Sequence, residues 1–351
     1  MKATLLLLPL AALLAACTPV SSPSASTTGG AGAQTGDKLQ IVYIAKSTGN
    51  PYFSDVDKGF EKAAKELDFE FTSQAPATAD ATSQLSIIKD QIQRGVDVIA
   101  ITPNSPNALN EALDEAKAKG ITVICVDADL TDNESHRDAA VLPVDFATVG
   151  PSQIELLGEL MGYEGEFAIL SATTDAPNQN AWIAGMKETL KDPKYSKMKL
   201  VATVYGDDES QKSSTETEAL LAKFPNLKGI LSPTSVGLAA AAQVIENAGV
   251  YPGGAKAKNG GLHLTGLSTP NQLKNALSTG AVAKFQLWSP ADMGYLAAQL
   301  GVKASKDKVK IESGTDVEIP GRDAVKVGDK GVVFTGPLVT FSKENIADYD
   351  F

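Results

Sequence analysis

From Lys38 onward the chain alternates short apolar runs with amphipathic stretches, strand then helix, over most of its length. Residues 39–45, LQIVYIA, predict a strand. A polar turn follows, then a helix from Ser54 in which Val56, Phe60, Ala63, Ala64 and Leu67 share one face. Ser54 with Asp57 three residues later suits a capping box. A short strand near 69–71 precedes a helix that carries Leu85, Ile88 and Ile92 and stops at Gly95. Residues 96–101 predict a strand, 105–119 a helix and 121–126 a further strand. Strands in βαβ order, almost continuous in Val and Ile, imply a parallel sheet covered by helices on both faces.

Around 139–145 the rhythm restarts. Residues 167–171 predict a strand, followed by a polar loop and a helix over 182–190. Further strands fall at 200–205, 229–231, 262–266 and 282–287, with helices between them. IVYIAKSTGNPYF and EFAILSATTDAPNQNAW each run from strand through polar loop into helix, so the architecture repeats even where residue identity does not. The fold class is therefore α/β, with two doubly wound parallel-sheet domains of similar size. The stretch 304–337 is rich in Gly and charge with short Val runs, which predicts a small hairpin and a crossover.

The first residues break this pattern. Lys2 carries the one early positive charge, and the apolar run from Leu5 to Ala16 ends in Leu14-Ala15-Ala16-Cys17. At about 12 residues the run is too short to cross a bilayer and reads as a signal-peptide core. Its end resembles the bacterial lipobox, whose cysteine is diacylated and becomes the mature N-terminus. Residues 18–37 are nearly all Ser, Thr, Ala, Gly and Pro, a composition that stays flexible and serves as a tether. The expected arrangement is a leader over 1–16, lipidation at Cys17, a tether over 17–37 and a soluble body held outside the cell membrane. No later apolar run reaches membrane-spanning length, so the lipid is the only membrane anchor expected.

Bulk composition narrows the function. A hydrophobic content of 43% with 21% charged residues is that of a globular chain, and 351 residues are enough for two cores. The net charge of −11 argues against nucleic-acid binding, which needs clustered Lys and Arg on phosphates. With Cys17 committed to the anchor, Cys125 has no partner for a disulfide and reads as a small buried apolar residue on a strand. Neither G-x-x-x-x-G-K-[ST] nor G-x-S-x-G occurs, and Gly30-Ala31-Gly32 lies in the tether with no strand before it. Asp127 and Asp129 have no His or Glu cluster beside them for a metal. Neither an enzyme nor a cofactor is expected.

Ligands in open α/β sheets sit at the carboxyl ends of strands. Those positions hold Lys46, Asn50, Tyr52 and Phe53 after the first strand and Asp127 and Asp129 after the strand of Cys125. In the second half they hold Asn178, Gln179 and Trp182, then Pro233 and Ser235, then Ser268, Thr269 and Asn271, then Trp288. Amides and carboxylates hydrogen-bond neighbouring hydroxyls, and aromatic rings cover an apolar sugar face. The set suits a small neutral polyol better than a phosphate. Competing readings stand for several members. One of Tyr52 and Phe53 could plug the sheet end, and Trp182 reads more readily as core. Asp129 reads as a turn residue, and Lys46 with Asp127 could form a mutual salt bridge.

KLQIVYIAKSTGNPYF, IAITPNSPNAL, VICVDAD, GILSPTSVGLAAAAQVIENAG, GLSTPN and SKENIADYDF resemble the ribose-type periplasmic sugar-binding family, within it the branch of rhamnose and autoinducer-2 binders. The resemblance runs from about Lys38 to Phe351. It implies a type I periplasmic-binding-protein clamp, with two domains joined by three hinge crossings. The first is expected over 38–143 plus about 289–310, and the second over 144–288 plus about 311–351. It implies a monomer that closes on one sugar and delivers it to an ABC permease and its ATPase, from the periplasmic or extracellular side of the membrane. Autoinducer-2 binders hold their ligand with a lysine, an aspartate, an Asp-Gln pair, a proline and an alanine. Lys46, Asp127, Gln179 and Pro233 match, whereas Asn178 and Ser235 depart. Both departures weaken the autoinducer-2 reading and are equally consistent with a different small sugar, so rhamnose leads and autoinducer-2 follows.

Overall fold

The computed structural model describes residues 38–317 and 323–351. The expected leader over 1–16, the tether over 17–37 and the lipidation at Cys17 lie outside the described residues. The body opens with β1 (Gln40–Ile44), α1 (Tyr52–Leu67), β2 (Glu70–Gln74), α2 (Ala81–Arg94), β3 (Val98–Ile101), α3 (Asn110–Ala118), β4 (Thr122–Val126) and β5 (Ala139–Leu142). A second series follows: α4 (Phe146–Met161), β6 (Glu164–Ser171), α5 (Pro177–Thr189), β7 (Lys197–Tyr205), α6 (Ser210–Lys223), β8 (Leu227–Ser232), α7 (Ser235–Ala248), β9 (His263–Gly266), α8 (Pro270–Thr279) and β10 (Phe285–Leu287). The chain closes with α9 (Pro290–Ser305), β11 (Asp316–Val317), β12 (Val325–Lys326), β13 (Val332–Phe334) and β14 (Val339–Phe341).

The strands form two main sheets. The first runs β13-β5-β4-β3-β1-β2 and the second β7-β6-β8-β9, parallel throughout. This is the doubly wound α/β architecture expected from the pattern. β10 meets the second sheet's edge through the Leu267–Gln286 bridge, Val282 just before it bridges Leu264, and β14 pairs antiparallel with β10.

The period of two along a strand explains how the first sheet is covered. Val42, Ile44, Ile99, Ile101, Val123 and Cys125 face one apolar layer under α2 and α3. Ile41, Tyr43, Val98, Ala100, Ile124 and Val126 face the other, where α1 and α9 pack. Those two helices approach so closely that a Cβ on Gly59 would lie 2.0 Å from the Ala291 carbonyl oxygen, and one on Gly294 2.1 Å from that of Val56.

Two expectations need correction. Ser54 is not a cap: α1 begins at Tyr52 behind Pro51, and the Asn50 side chain accepts the Tyr52 N–H at 3.1 Å. Asn50 thus satisfies a free helix-end donor, and Pro51, fixed at φ −59°, needs none. The second concerns 311–351, expected wholly on the side of the second sheet. β11 and β12 form the expected antiparallel pair, but β13 then pairs parallel with β5 and completes the edge of the first sheet. The chain therefore passes between the two sheets at 143–145, at 288–289 and at 335–338. The outer two passages run side by side, with the Thr335 N–H on the Leu142 carbonyl at 3.1 Å and the Gly336 N–H on that of Pro143 at 3.2 Å.

Candidate functional site

Each sheet has a strand from which successive connections leave in opposite directions. It is β1, between β2 and β3, in the first sheet and β6, between β7 and β8, in the second. A crevice opens beyond the carboxyl end of such a strand. Lys46 follows β1, Asp127 follows β4, Asn178 and Gln179 follow β6, and Pro233 follows β8. The two crevices meet in one small cavity lined by residues from both sheets' strand ends.

Lys46, Asn50, Tyr52, Phe53, Asp127, Asn178, Gln179, Pro233, Ser235 and Trp288 all line it. Ser268 does not. It is fully buried and its N–H donates to the Gln286 carbonyl at 3.2 Å. Leu267 lines the cavity in its place, because adjacent extended residues point to opposite sides. Thr269 and Asn271 are outside the lining as well. Asp129 is not a ligand group either: both its oxygens are held at 2.6 Å by Arg137, which also donates to the Lys330 carbonyl at 2.7 Å. That buried ion pair ties the loop carrying Asp127 to the chain just before β13.

Two polar lining residues, Asp208 and Thr234, lie outside the expected positions. Asp208, three residues past Tyr205 at the end of β7, is buried and accepts a hydrogen bond from the Thr234 hydroxyl. Thr234 lines the cavity beside it. A strand followed by Gly206-Asp207-Asp208 is a weaker form of the signal that picked out Asp127. Trp182 also lines the cavity, where the sequence favoured a core role.

The polar groups form one connected network. Lys46 Nζ donates to Asn178 Oδ1 at 2.7 Å, and Asn178 Nδ2 donates to Asp127 Oδ2 at 3.0 Å. Lys46 and Asp127 thus do not pair directly; Asn178 stands between them. The Trp288 indole N–H donates to the Tyr52 hydroxyl at 2.7 Å, which donates to Asp127 Oδ1 at 2.7 Å. Gln179 takes the Ser171 hydroxyl on Oε1 at 3.1 Å and gives its amide to the Pro233 carbonyl at 2.7 Å. Each carboxylate oxygen of Asp127 keeps a lone pair beyond these bonds.

Asp127 has φ +66°, and the Ala128 N–H bonds back to the Val126 carbonyl at 2.7 Å. This three-residue turn is a tight conformation for a side chain-bearing residue, tolerated best by Asp and Asn. It aims the carboxylate off the strand end. Phe53 meets the Tyr52 ring edge-on at 5.3 Å, and Trp182 and Trp288 lie 5.7 Å apart, giving the cavity aromatic walls.

Burial dominates the ionisation. It lowers the Lys46 ammonium from its ordinary value, against the pull of Asp127 and Asp208. It raises both carboxylates, with Lys46 acting the other way on each. One cation thus faces two carboxylates amid amides, hydroxyls and aromatic rings. Such an arrangement can exchange hydrogen bonds with hydroxyl-bearing molecules. Among the described residues no group of three or more His, Cys, Asp or Glu is placed to hold a metal.

Comparison with known proteins agrees with this geometry. A solute-binding protein of an ABC transporter from Clostridium phytofermentas, solved with bound L-rhamnose, is 32% identical with a TM-score of 0.82, covering 89% of this chain and 98% of that one. LsrB from Clostridium saccharobutylicum in complex with AI-2 shares the fold, at a TM-score of 0.83 and 22% identity over 89% of this chain and all of that one. The D-allose-binding periplasmic protein of Escherichia coli is 27% identical over 274 residues, 76% of this chain and 85% of that protein. The family model of the periplasmic binding protein domain matches residues 41–308, from within β1 to just past α9. A match that takes in most of the body, together with a relative of this identity along nearly its whole length, carries the conclusion that the chain belongs to the periplasmic binding protein family.

Proposed function

We propose that the protein is the solute-binding component of an ABC importer and captures a small neutral sugar, L-rhamnose first among candidates, between the two sheets. The observation that carries this reading is the lining of the shared cavity. Paired acceptors at Asp127 and Asp208, an amide–ammonium bridge at Asn178 and Lys46, and aromatic walls match a polyol with one apolar face. The rhamnose-bound relative at 32% identity supports the same choice. Rhamnose carries a methyl group in place of a hydroxymethyl, and Phe53, Leu267, Leu287 and Trp288 offer it apolar surface. The ligand-binding set is Lys46, Asn50, Tyr52, Phe53, Asp127, Asn178, Gln179, Pro233, Ser235 and Trp288, extended by Asp208.

In this reading the two sheets belong to hinged domains that open and close about the three passages. The monomer is held on the outer side of the membrane by a lipid on Cys17, and a permease with its ATPase receives the sugar. Loss of fatty-acid labelling in Cys17→Ser tests the anchor. Small-angle scattering tests the hinge, since the radius of gyration falls when L-rhamnose saturates a clamp. Autoinducer-2 is the second reading, favoured by Lys46, Asp127, Gln179 and Pro233. Native mass spectrometry of the ligand that co-purifies decides between them: a deoxyhexose mass supports rhamnose, and the mass of autoinducer-2 reverses the order.

A further inference from the structure

The cavity holds a buried donor that no other described residue satisfies. Trp182 is 2% exposed, lines the cavity and, among the described residues, has no hydrogen-bond partner on Nε1. Trp288, its neighbour at 5.7 Å, has its N–H taken by the Tyr52 hydroxyl at 2.7 Å. The two indoles share one aromatic wall, and only one is satisfied. Trp182 is not free to turn away in search of a partner. Phe146 meets its ring edge-on at 5.4 Å on one side and Trp288 confines it on the other.

Its place on α5 explains why it belongs to the site. Asn178 and Trp182 are four residues apart, so they share a face of the helix, and both line the cavity. The other polar groups of that face are already engaged: Asn178 with Lys46 and Asp127, Gln179 with Ser171 and Pro233. An indole N–H donates and cannot accept, so it demands an oxygen lone pair, whereas the carboxylates of Asp127 and Asp208 demand O–H donors. A site with both demands reads the direction of hydrogen bonding around the ligand.

We infer that Trp182 is a specificity-determining residue that donates its indole N–H to an oxygen lone pair of the bound sugar. A pyranose ring oxygen, which has lone pairs and no proton, is its most exclusive partner. The inference rests on the sugar-binding reading and refines it. Sites built to hydrogen-bond a ligand atom discriminate strongly against ligands that lack it, because the buried group is then left unpaired.

The test uses the purified protein, L-rhamnose, and a carbocyclic analogue with methylene for the ring oxygen. Trp182→Phe keeps an aromatic wall and removes the donor. L-Rhamnose affinity should fall about tenfold, as for loss of one hydrogen bond of about 1.4 kcal/mol. Affinity for the carbocycle should be weak in the wild type and unchanged by the substitution. The ligand-free melting temperature should hold or rise, because a buried unmet donor has been removed; a purely structural tryptophan would lower it. The chain has only two tryptophans, so ¹⁵N-indole spectra of the wild type give two signals. One should shift downfield and gain protection from exchange when L-rhamnose binds, which reads the same bond if Trp182→Phe fails to fold. Unchanged L-rhamnose affinity in Trp182→Phe, or two indifferent indole signals at saturation, overturns the role of Trp182 with sugar binding intact. A wild type that binds no sugar overturns the functional reading instead.

Discussion

Asn178 donates its amide N–H to Asp127 Oδ2 at 3.0 Å across the line where the two sheets meet. A carboxamide can make that bond to a carboxylate; a second carboxylate cannot. Asn178 Oδ1 meanwhile accepts from Lys46 at 2.7 Å, so one side chain uses donor and acceptor on two opposite charges. The departure from the Asp-Gln pair of autoinducer-2 binders is therefore matched to its surroundings rather than incidental.

Asn178→Asp should weaken L-rhamnose binding by about tenfold or more, since a charge-assisted hydrogen bond becomes a like-charge contact. Combined with Ser235→Ala it should move preference toward autoinducer-2. Competition calorimetry reads both effects. A double variant with wild-type preference shows that these positions do not set ligand choice.

Asp127→Ala removes the acceptor joined to Tyr52, Asn178 and, in the proposed complex, sugar hydroxyls. Hydrogen bonds to charged groups contribute roughly 1.5–3 kcal/mol, so affinity should drop about tenfold to a hundredfold or more. Titration of the variant measures this, and an affinity within twofold of wild type removes Asp127 from the site.

Asp208 gives a pH signature. Burial raises its carboxyl above the ordinary 3.8, so the folded form holds the proton more tightly than the unfolded chain. Stability from this group is greatest below 3.8 and is lost as pH climbs through the raised value. Asp208→Asn should therefore raise the ligand-free melting temperature at pH 7, with the gain shrinking toward zero in acid. A gain that is flat with pH contradicts the burial of a charged carboxylate there.

Gly59 makes a prediction remote from the cavity. A methyl group there meets the Ala291 carbonyl oxygen at 2.0 Å, so Gly59→Ala must push α1 from α9. Overpacking of this kind costs about 1–3 kcal/mol. Urea unfolding should show the loss while sugar affinity stays within a few fold. Full stability would mean the helices are not so closely apposed in solution.

Strand ends were legible where an apolar run stopped at a charge. Lys46 after β1 and Asp127 after β4 stood out because β3, β4 and most of β1 are buried on both faces. β7 is legible at 200–205, but Asp208 lies three residues past its end, behind Gly206 and Asp207, and so does not mark the strand end as Asp127 does. Trp182 was ambiguous for another reason: an aromatic on an amphipathic helix looks the same whether its face meets a core or a cavity. Ser268 failed by one residue of alternation against Leu267. The passage of 332–334 to the first sheet was beyond local reading, because its partners, Ala140 to Leu142, lie far away in sequence. Three residues of Val and Phe carry no mark of which sheet edge they will join.

Calorimetric titration of the purified protein with L-rhamnose tests the central claim most directly. The expected result is saturable 1:1 binding that is lost or much weakened in Asp127→Ala and accompanied by a higher melting temperature, as mass action requires. Absence of heat with L-rhamnose and with other neutral monosaccharides, at concentrations well above micromolar, would contradict it.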